Sequence, residues 1–276
     1  MTAQIGRARG RPRSFNGGSA STQIQSLARA MSVLKIVSEN NGMSLTEIAK
    51  SSGHPASTVY RVLITLQSHH IVEHDEISQL WRIGLEAFRI GSAFLGHTSI
   101  VEQSRSIMQD VMSQSGETAN LAIVDRGEVI FINQVETSEP IRAFFRPGTR
   151  SPVHASGIGK AILAFLPHPQ IENIIDSKSL TAITEKTITD KQSLIEELST
   201  IHGRGWSIDD EEGSMGMRCI AAPIFNSYGE ATAGISLSGP SIRVAPEHDS
   251  RFGALIKEAA QKITHAIGGK PPSIES

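Results

Sequence analysis

Between Ile24 and Val37 apolar residues recur three and four apart, at Ile24, Leu27, Met31, Leu34 and Val37, which is the spacing of one helical face. The helix is expected to stop at Asn40-Asn41-Gly42. Ser44 followed three residues later by Glu47 is a capping-box signature, and it opens a short helix carrying Leu45, Ile48 and Ala49. Gly53-His54-Pro55 breaks that helix. A third then runs from about Ala56 to Ser68, with Val59, Val62, Leu63 and Leu66 on one side. Two short helices joined by a tight, glycine-containing turn form a helix-turn-helix. The stretch "IVEHDEISQLWRIG" follows as two short strands around a polar turn, a wing.

The run "LEAFRIGSAFLG" predicts a further helix, read as a linker that packs against a second subunit. A helix ending near Gly116 then opens a separate domain. "TANLAIV" and "EVIFINQV" flank Asp125-Arg126-Gly127, a hairpin by alternation and turn chemistry. More strands are expected at "IRAFFRP", "GWSID", "RCIAAPIFN" and "ATAGISLS", and helices at about 157–166, 190–203 and 247–267. The expected fold is α+β: a winged helix-turn-helix joined by a linker helix to an antiparallel sheet with helices around it. The boundaries read as a basic arm at 1–23, the winged helix-turn-helix at 24–84, the linker at 85–97 and the second domain at 98–270.

Charge sharpens this division. Residues 1–96 carry +4 and residues 97–276 carry −6, so a polyanion is expected to meet only the front of the chain. The arm holds Arg7, Arg9, Arg11 and Arg13 at every second position, and no acid precedes Glu39. Gly10-Arg11-Pro12 is the core tripeptide of arms that enter a narrow minor groove, where negative potential concentrates; a solvated tail is the competing reading. On the third helix the face opposite the apolar set carries Ser57, Arg61 and Ser68, flanked by Thr58, Tyr60 and Thr65. These short hydroxyls and one guanidinium suit phosphates and base edges in a major groove. Ile64 also points outward, which means either a thymine methyl contact or a register error. Ser57, Thr58, Tyr60 and Arg61 are the expected DNA contacts, with Arg82 of the wing reaching the backbone and Arg11 the minor groove. One small helix reads few bases, so a symmetric dimer on a palindromic double-stranded operator is expected.

No apolar run is long enough to span a bilayer, and the arginine-rich start lacks the apolar segment of a secretory signal. The single cysteine, Cys219, fits a reducing cytoplasm. "HASGIGKAIL" invites a phosphate-loop reading, but that motif needs glycine where His154 stands and a hydroxyl where Ala161 stands. What survives is a glycine-containing turn leading into a helix near Gly157 and Ile158, where backbone amides favour an anion. Cys219 with His154 is weak grounds for cysteine catalysis, since no activating third group is evident; the chain is read as a regulator, not an enzyme.

"SLTEIAKSSGHPASTVYRVLITL", "HASGIGKAILAFLP" and "GWSIDDEEGSMGMRCIAAPIFNSYGEATAGISLSGP" resemble the IclR family of bacterial transcription regulators, from about residue 24 to the C-terminal helix. The resemblance implies a winged helix-turn-helix, a dimerising linker helix, a GAF/PAS-like effector domain, dimers or tetramers on paired half-sites, and DNA affinity altered by a small metabolite. It also implies a pocket for a small carboxylic acid at the Gly157 and Ile158 amides, Asp209, Cys219, Ser236 and Ser238. Ser236 and Ser238 lie two apart on a strand and so share one face; sheet interior is the competing reading. Two serines, a carboxylate and a helix end leave little apolar wall, so a short hydroxy-, keto- or semialdehyde acid is expected, releasing a repressor of a catabolic operon. An activator, or an aromatic-acid effector, is the alternative. A zinc ion held by His154, Asp209 and Cys219, with Glu212 nearby, is a second reading of the same pocket, resting on N, O and S donor chemistry rather than on motif spacing.

Overall fold

The computed structural model describes residues 24–96, 100–177 and 179–272. The arm with Arg11, and the junction at 97–99, lie outside the described residues. The chain divides into two compact units, with the division between Phe94 and Leu95.

The N-terminal unit contains α1 (Gln25–Ser38), α2 (Leu45–Ser52), α3 (Ala56–Ser68), β1 (Val72–Asp75), β2 (Leu80–Ile83) and most of α4 (Leu85–Gly96). The Ser44 hydroxyl accepts from the Glu47 amide while the Glu47 carboxylate accepts from the Ser44 amide, so the expected capping box forms. Gly53 ends α2 in the left-handed region, at φ 67°, and Pro55 caps α3. Val33, Val37, Ile48, Val59, Leu63, Val72 and Trp81 make one core from the three helices and the hairpin. The wing is tied to that core: Met43 exchanges both backbone hydrogen bonds with Trp81, adding a third short strand segment beside β2.

The C-terminal unit begins with α5 (Ile100–Ser115) and holds a six-stranded, wholly antiparallel sheet in the order β5-β4-β3-β8-β7-β6. The strands are β3 (Thr118–Asp125), β4 (Glu128–Val135), β5 (Arg150–Pro152), β6 (Ser207–Asp210), β7 (Met217–Phe225) and β8 (Ala231–Pro240). Arg126 and Gly127 both have positive φ, 51° and 75°, the twist that a two-residue hairpin turn needs. Alternation along the strands sorts the two faces. Ala119, Leu121, Ile220, Ile235 and Leu237 pack under α5 and α9 (Asp249–Ala266), while Ala122, Phe131 and Ala221 pack under α6 (Gly157–Leu163) and α8 (Lys191–Arg204).

Two sequence expectations change. "IRAFFRP" is not a strand: residues 141–147 run as irregular chain. The free edge of β4 is taken by β5, whose three-residue pairing with Glu128–Ile130 the sequence did not announce. The Ile141–Phe145 segment joins no strand; Ala143 is buried and Phe145 half-buried, while Ile141 and Phe144 stay exposed. The helix α7 (His168–Ser177), which follows Pro167, was also not anticipated.

Candidate functional site

On α3 the exposed positions are Ala56, Ser57, Tyr60, Arg61, Ile64, Thr65 and Ser68, with Thr58 half-buried, while Val59 and Leu63 are fully buried. The outward register expected for this helix is the observed one, Ile64 included. The Arg61 guanidinium has no hydrogen bond or ion pair among the described residues, while the Arg61 carbonyl accepts from the Thr65 hydroxyl at 2.8 Å. Arg82 is differently placed. Its guanidinium donates to Asp75 at 3.3 Å across the wing hairpin and to the Asn41 carbonyl at 3.3 Å, although half of the side chain stays exposed. Asp75 is held down to about 2, chiefly by the Ser78 amide, and so remains a charged partner for Arg82 across the physiological range.

The C-terminal unit builds a cavity of about 230 Å³ on the α6 face of the sheet. Its floor, at Asp209, Cys219, Ser236 and Ser238, is one end of a polar row created by strand register. Asn120 on β3 stands opposite Gln134 on β4 and Ser236 on β8, Ser238 stands opposite Cys219 on β7, and Cys219 stands opposite Asp209 on β6. Directly opposed residues share a face, so five strands contribute to one row. The Gln134 amide donates to the Asn120 carbonyl oxygen at 2.7 Å, and the Asn120 amide donates to Ser236 and Ser238 at 3.3 and 3.1 Å. Each serine hydroxyl accepts one of these bonds and keeps its own proton to donate.

Ile158 and Ser156 form the wall from α6, whose first-turn amides at Gly157 and Ile158 have no carbonyl of their own helix to donate to. α6 can lie this close because of glycine. A Cβ on Gly157 would stand 2.9 Å from the Cys219 sulfur, and one on Gly159 would collide with the Val153 carbonyl. Across the cavity lie Arg142, Ala143, Phe144 and Phe145 from the irregular segment, with Phe145 stacked on Phe131 at 4.2 Å between ring centroids. The expectation of little apolar wall is thus corrected: the residues once assigned to a strand supply it.

The electrostatics favour neutral donors at the floor. Burial pushes the Cys219 thiol up to about 11, with the Asp209 carboxylate adding to the effect, so the sulfur stays protonated and is a poor nucleophile. Burial also raises Asp209, against the Gly213 and Glu212 amides that it accepts from at 3.2 and 2.8 Å. Behind it Lys160, fully buried in α6, is ion-paired to Glu212, whose second carboxylate oxygen is buried without a partner among the described residues. Glu212 is likewise raised by burial, opposed by Lys160.

Of the residues expected in the effector pocket, Ile158, Asp209, Cys219, Ser236 and Ser238 line this cavity and Gly157 abuts it through Cys219. The zinc set is not brought together. His154 lines a different cavity, where its Nε2 faces the Thr181 carbonyl at 3.1 Å, and Glu212 is engaged by Lys160. Among the described residues no three His, Cys, Asp or Glu side chains are disposed to hold a metal ion. Sequence reasoning missed Asn120, Gln134, Phe131, Arg142, Phe144 and Phe145. Only strand register, which sequence does not encode locally, sets Asn120 against Ser236.

Known proteins match along both units. Residues 26–76 fit the model of the IclR helix-turn-helix domain, and residues 92–265 that of the bacterial transcriptional regulator IclR C-terminal domain. The HTH-type transcriptional regulator BhcR of Paracoccus denitrificans is 44% identical over 270 residues, covering 97% of this chain and 96% of its own. The transcriptional repressor IclR of Escherichia coli is 39% identical over 274 residues, covering 98% and 99%. Among solved structures, the Thermotoga maritima IclR superposes with a TM-score of 0.75 at 28% identity, over 88% of this chain and 99% of that one. An IclR homologue from Microbacterium hydrocarbonoxydans complexed with 4-hydroxybenzoate gives 0.77 at 26% identity, over 88% and 98%. No described helix is long and apolar enough to cross a membrane. Similarity that runs from the first helix to the last, against transcriptional regulators of nearly the same length, means that the chain belongs to the IclR family of ligand-responsive, DNA-binding transcriptional regulators.

Proposed function

We propose that this regulator is a cytoplasmic repressor of a catabolic operon, bound to its operator as a homodimer or homotetramer and released by a short hydroxy-, keto- or semialdehyde carboxylic acid. The observation that carries the effector class is the hydrogen-bonded row Gln134–Asn120–Ser236/Ser238 beside Cys219 and Asp209, at the floor of a small cavity. At roughly 30 Å³ per water molecule, the cavity's 230 Å³ is the room of about eight waters. That volume suits a short acid. The serine hydroxyls and the Gly157 and Ile158 amides are donors for its carboxylate, and burial raises the pKa of Asp209 beside them. Similarity to the IclR of E. coli, a repressor, and to the acetate operon repressor of Salmonella typhimurium, 35% identical over 274 residues, supports both repression and a small-acid circuit.

Ser57, Thr58, Tyr60 and Arg61 enter the major groove in this reading, and Arg82 steadies the wing against the backbone. Arg11, outside the described residues, enters the minor groove. Phosphate contacts supply salt-dependent affinity, and base-edge contacts the sequence preference.

An aromatic acid is the second reading, favoured by the Phe131, Phe144 and Phe145 wall and by the 4-hydroxybenzoate complex of the Microbacterium homologue. Calorimetric titration of the full chain with lactate, pyruvate, succinate semialdehyde and 4-hydroxybenzoate separates the two. A short acid should bind and lose about tenfold or more in affinity in Ser236→Ala, since one charge-assisted hydrogen bond is worth about 1.5–3 kcal/mol. Binding of 4-hydroxybenzoate alone would transfer the assignment to the aromatic class.

A further inference from the structure

The C-terminal unit holds a second cavity, of about 750 Å³, which shares no lining residue with the first. It arises from a mismatch of strand lengths. β6 pairs with β7 only from Arg218 to Ala221, whereas β7 continues to Phe225. Beyond the end of β6 the floor is made of Ala222, Pro223 and Phe225, closed at the sides by Phe165 and by Ala260 and Thr264 of α9. The remaining wall is the chain after α9, contributed by Gly269, Pro271 and Pro272. That segment is fixed in place: the amides of Gly268, Gly269 and Lys270 donate to the His265, Thr264 and Asn226 carbonyls at 3.0, 2.7 and 3.1 Å.

The chemistry of the lining is asymmetric. The floor residues are buried or half-buried and apolar, while His202, Lys257, Gln261 and His265 form an exposed polar rim. Among the described residues no carboxylate lines the cavity. Lys257 donates one hydrogen bond to the Arg204 carbonyl at 3.0 Å, which leaves two ammonium protons for a ligand. Pro223 has no amide, so an added peptide strand cannot pair evenly along this edge of β7. The volume falls in the range of small-molecule sites, typically about 300–1,000 Å³ with a few polar groups over apolar walls.

We propose that this cavity binds an amphipathic monocarboxylate of the medium-chain fatty-acid class, its apolar body on the Ala222–Phe225 floor and its carboxylate at Lys257. The site is independent of the effector cavity, so the proposal stands or falls apart from the assignment made there. Isothermal titration of the full chain with decanoate tests it. Wild type should bind saturably, one to one. Ala260→Phe, which fills the cavity from its side, should abolish binding; Lys257→Glu, an exposed charge reversal, should weaken it about tenfold or more; Ser236→Ala should leave it unchanged. If Ala260→Phe does not fold by circular dichroism, Lys257→Glu decides. Absence of saturable binding to wild type, including exclusion by a second copy of the chain, overturns the proposal. So does equal binding to wild type and Lys257→Glu, or loss of binding in Ser236→Ala, which would move decanoate to the other cavity.

Discussion

In the proposed reading single side chains carry the two recognition tasks, and they do so by opposite means. Arg61 is useful because it is exposed and has no protein partner among the described residues, so all five of its donors are available to phosphate or to a guanine edge. Arg61→Ala should weaken operator binding by about 1–3 kcal/mol in fluorescence anisotropy and leave small-acid binding untouched; unchanged operator affinity would remove the assigned face of α3. Asp209 is useful because it is buried. Desolvation holds its pKa above the ordinary aspartate value, so the folded state keeps a proton that the unfolded chain has already released. Its contribution to stability is therefore full at acid pH and is lost as pH rises through the folded value. Asp209→Asn keeps an acceptor for the Glu212 and Gly213 amides but cannot ionise. It should reduce the fall in melting temperature between about pH 4 and pH 8, while Glu212 retains part of it. An undiminished pH slope in the variant would show that Asp209 does not titrate in that range.

At the scale of elements, what matters is how closely α6 lies on the sheet. Gly159 packs on the Val153 carbonyl and Gly157 on the Cys219 sulfur, so the helix that offers its first-turn amides is also the cavity wall. Gly159→Ala should force α6 outward, lowering stability by about 1–3 kcal/mol as overpacking does and lowering effector affinity with it; a denaturation midpoint and affinity equal to wild type would show that α6 has slack. Elements whose signals are local were legible in the sequence: the Ser44–Glu47 capping box, the α3 boundaries, the Asp125-Arg126-Gly127-Glu128 hairpin and the β7–β8 pair. Those decided by partners were not. The alternation of "IRAFFRP" is that of a strand, but the segment pairs with none, the start of β4 pairs with β5, and the phenylalanines of the segment line a cavity. Asn120 looked like one more residue in "TANLAIV" until pairing set it against Ser236. His154 had ligand chemistry without ligand geometry, because its ring turns to Thr181 in another cavity.

On the scale of the whole molecule, the charge asymmetry and the two compact units divide the labour between reading DNA and sensing a metabolite. A sensor can release an operator only if its ligand binds the DNA-incompetent state more tightly, and the coupling is reciprocal: whatever factor the effector takes from DNA affinity, DNA takes from effector affinity. The direct test is anisotropy of the full chain on its own upstream promoter fragment at fixed salt, titrated with the short acid found by calorimetry. The account predicts that saturating effector weakens operator binding by about 5- to 150-fold in wild type, and that Ser236→Ala binds the operator normally but needs far more effector for release. Operator affinity that stays constant at effector saturation would contradict it.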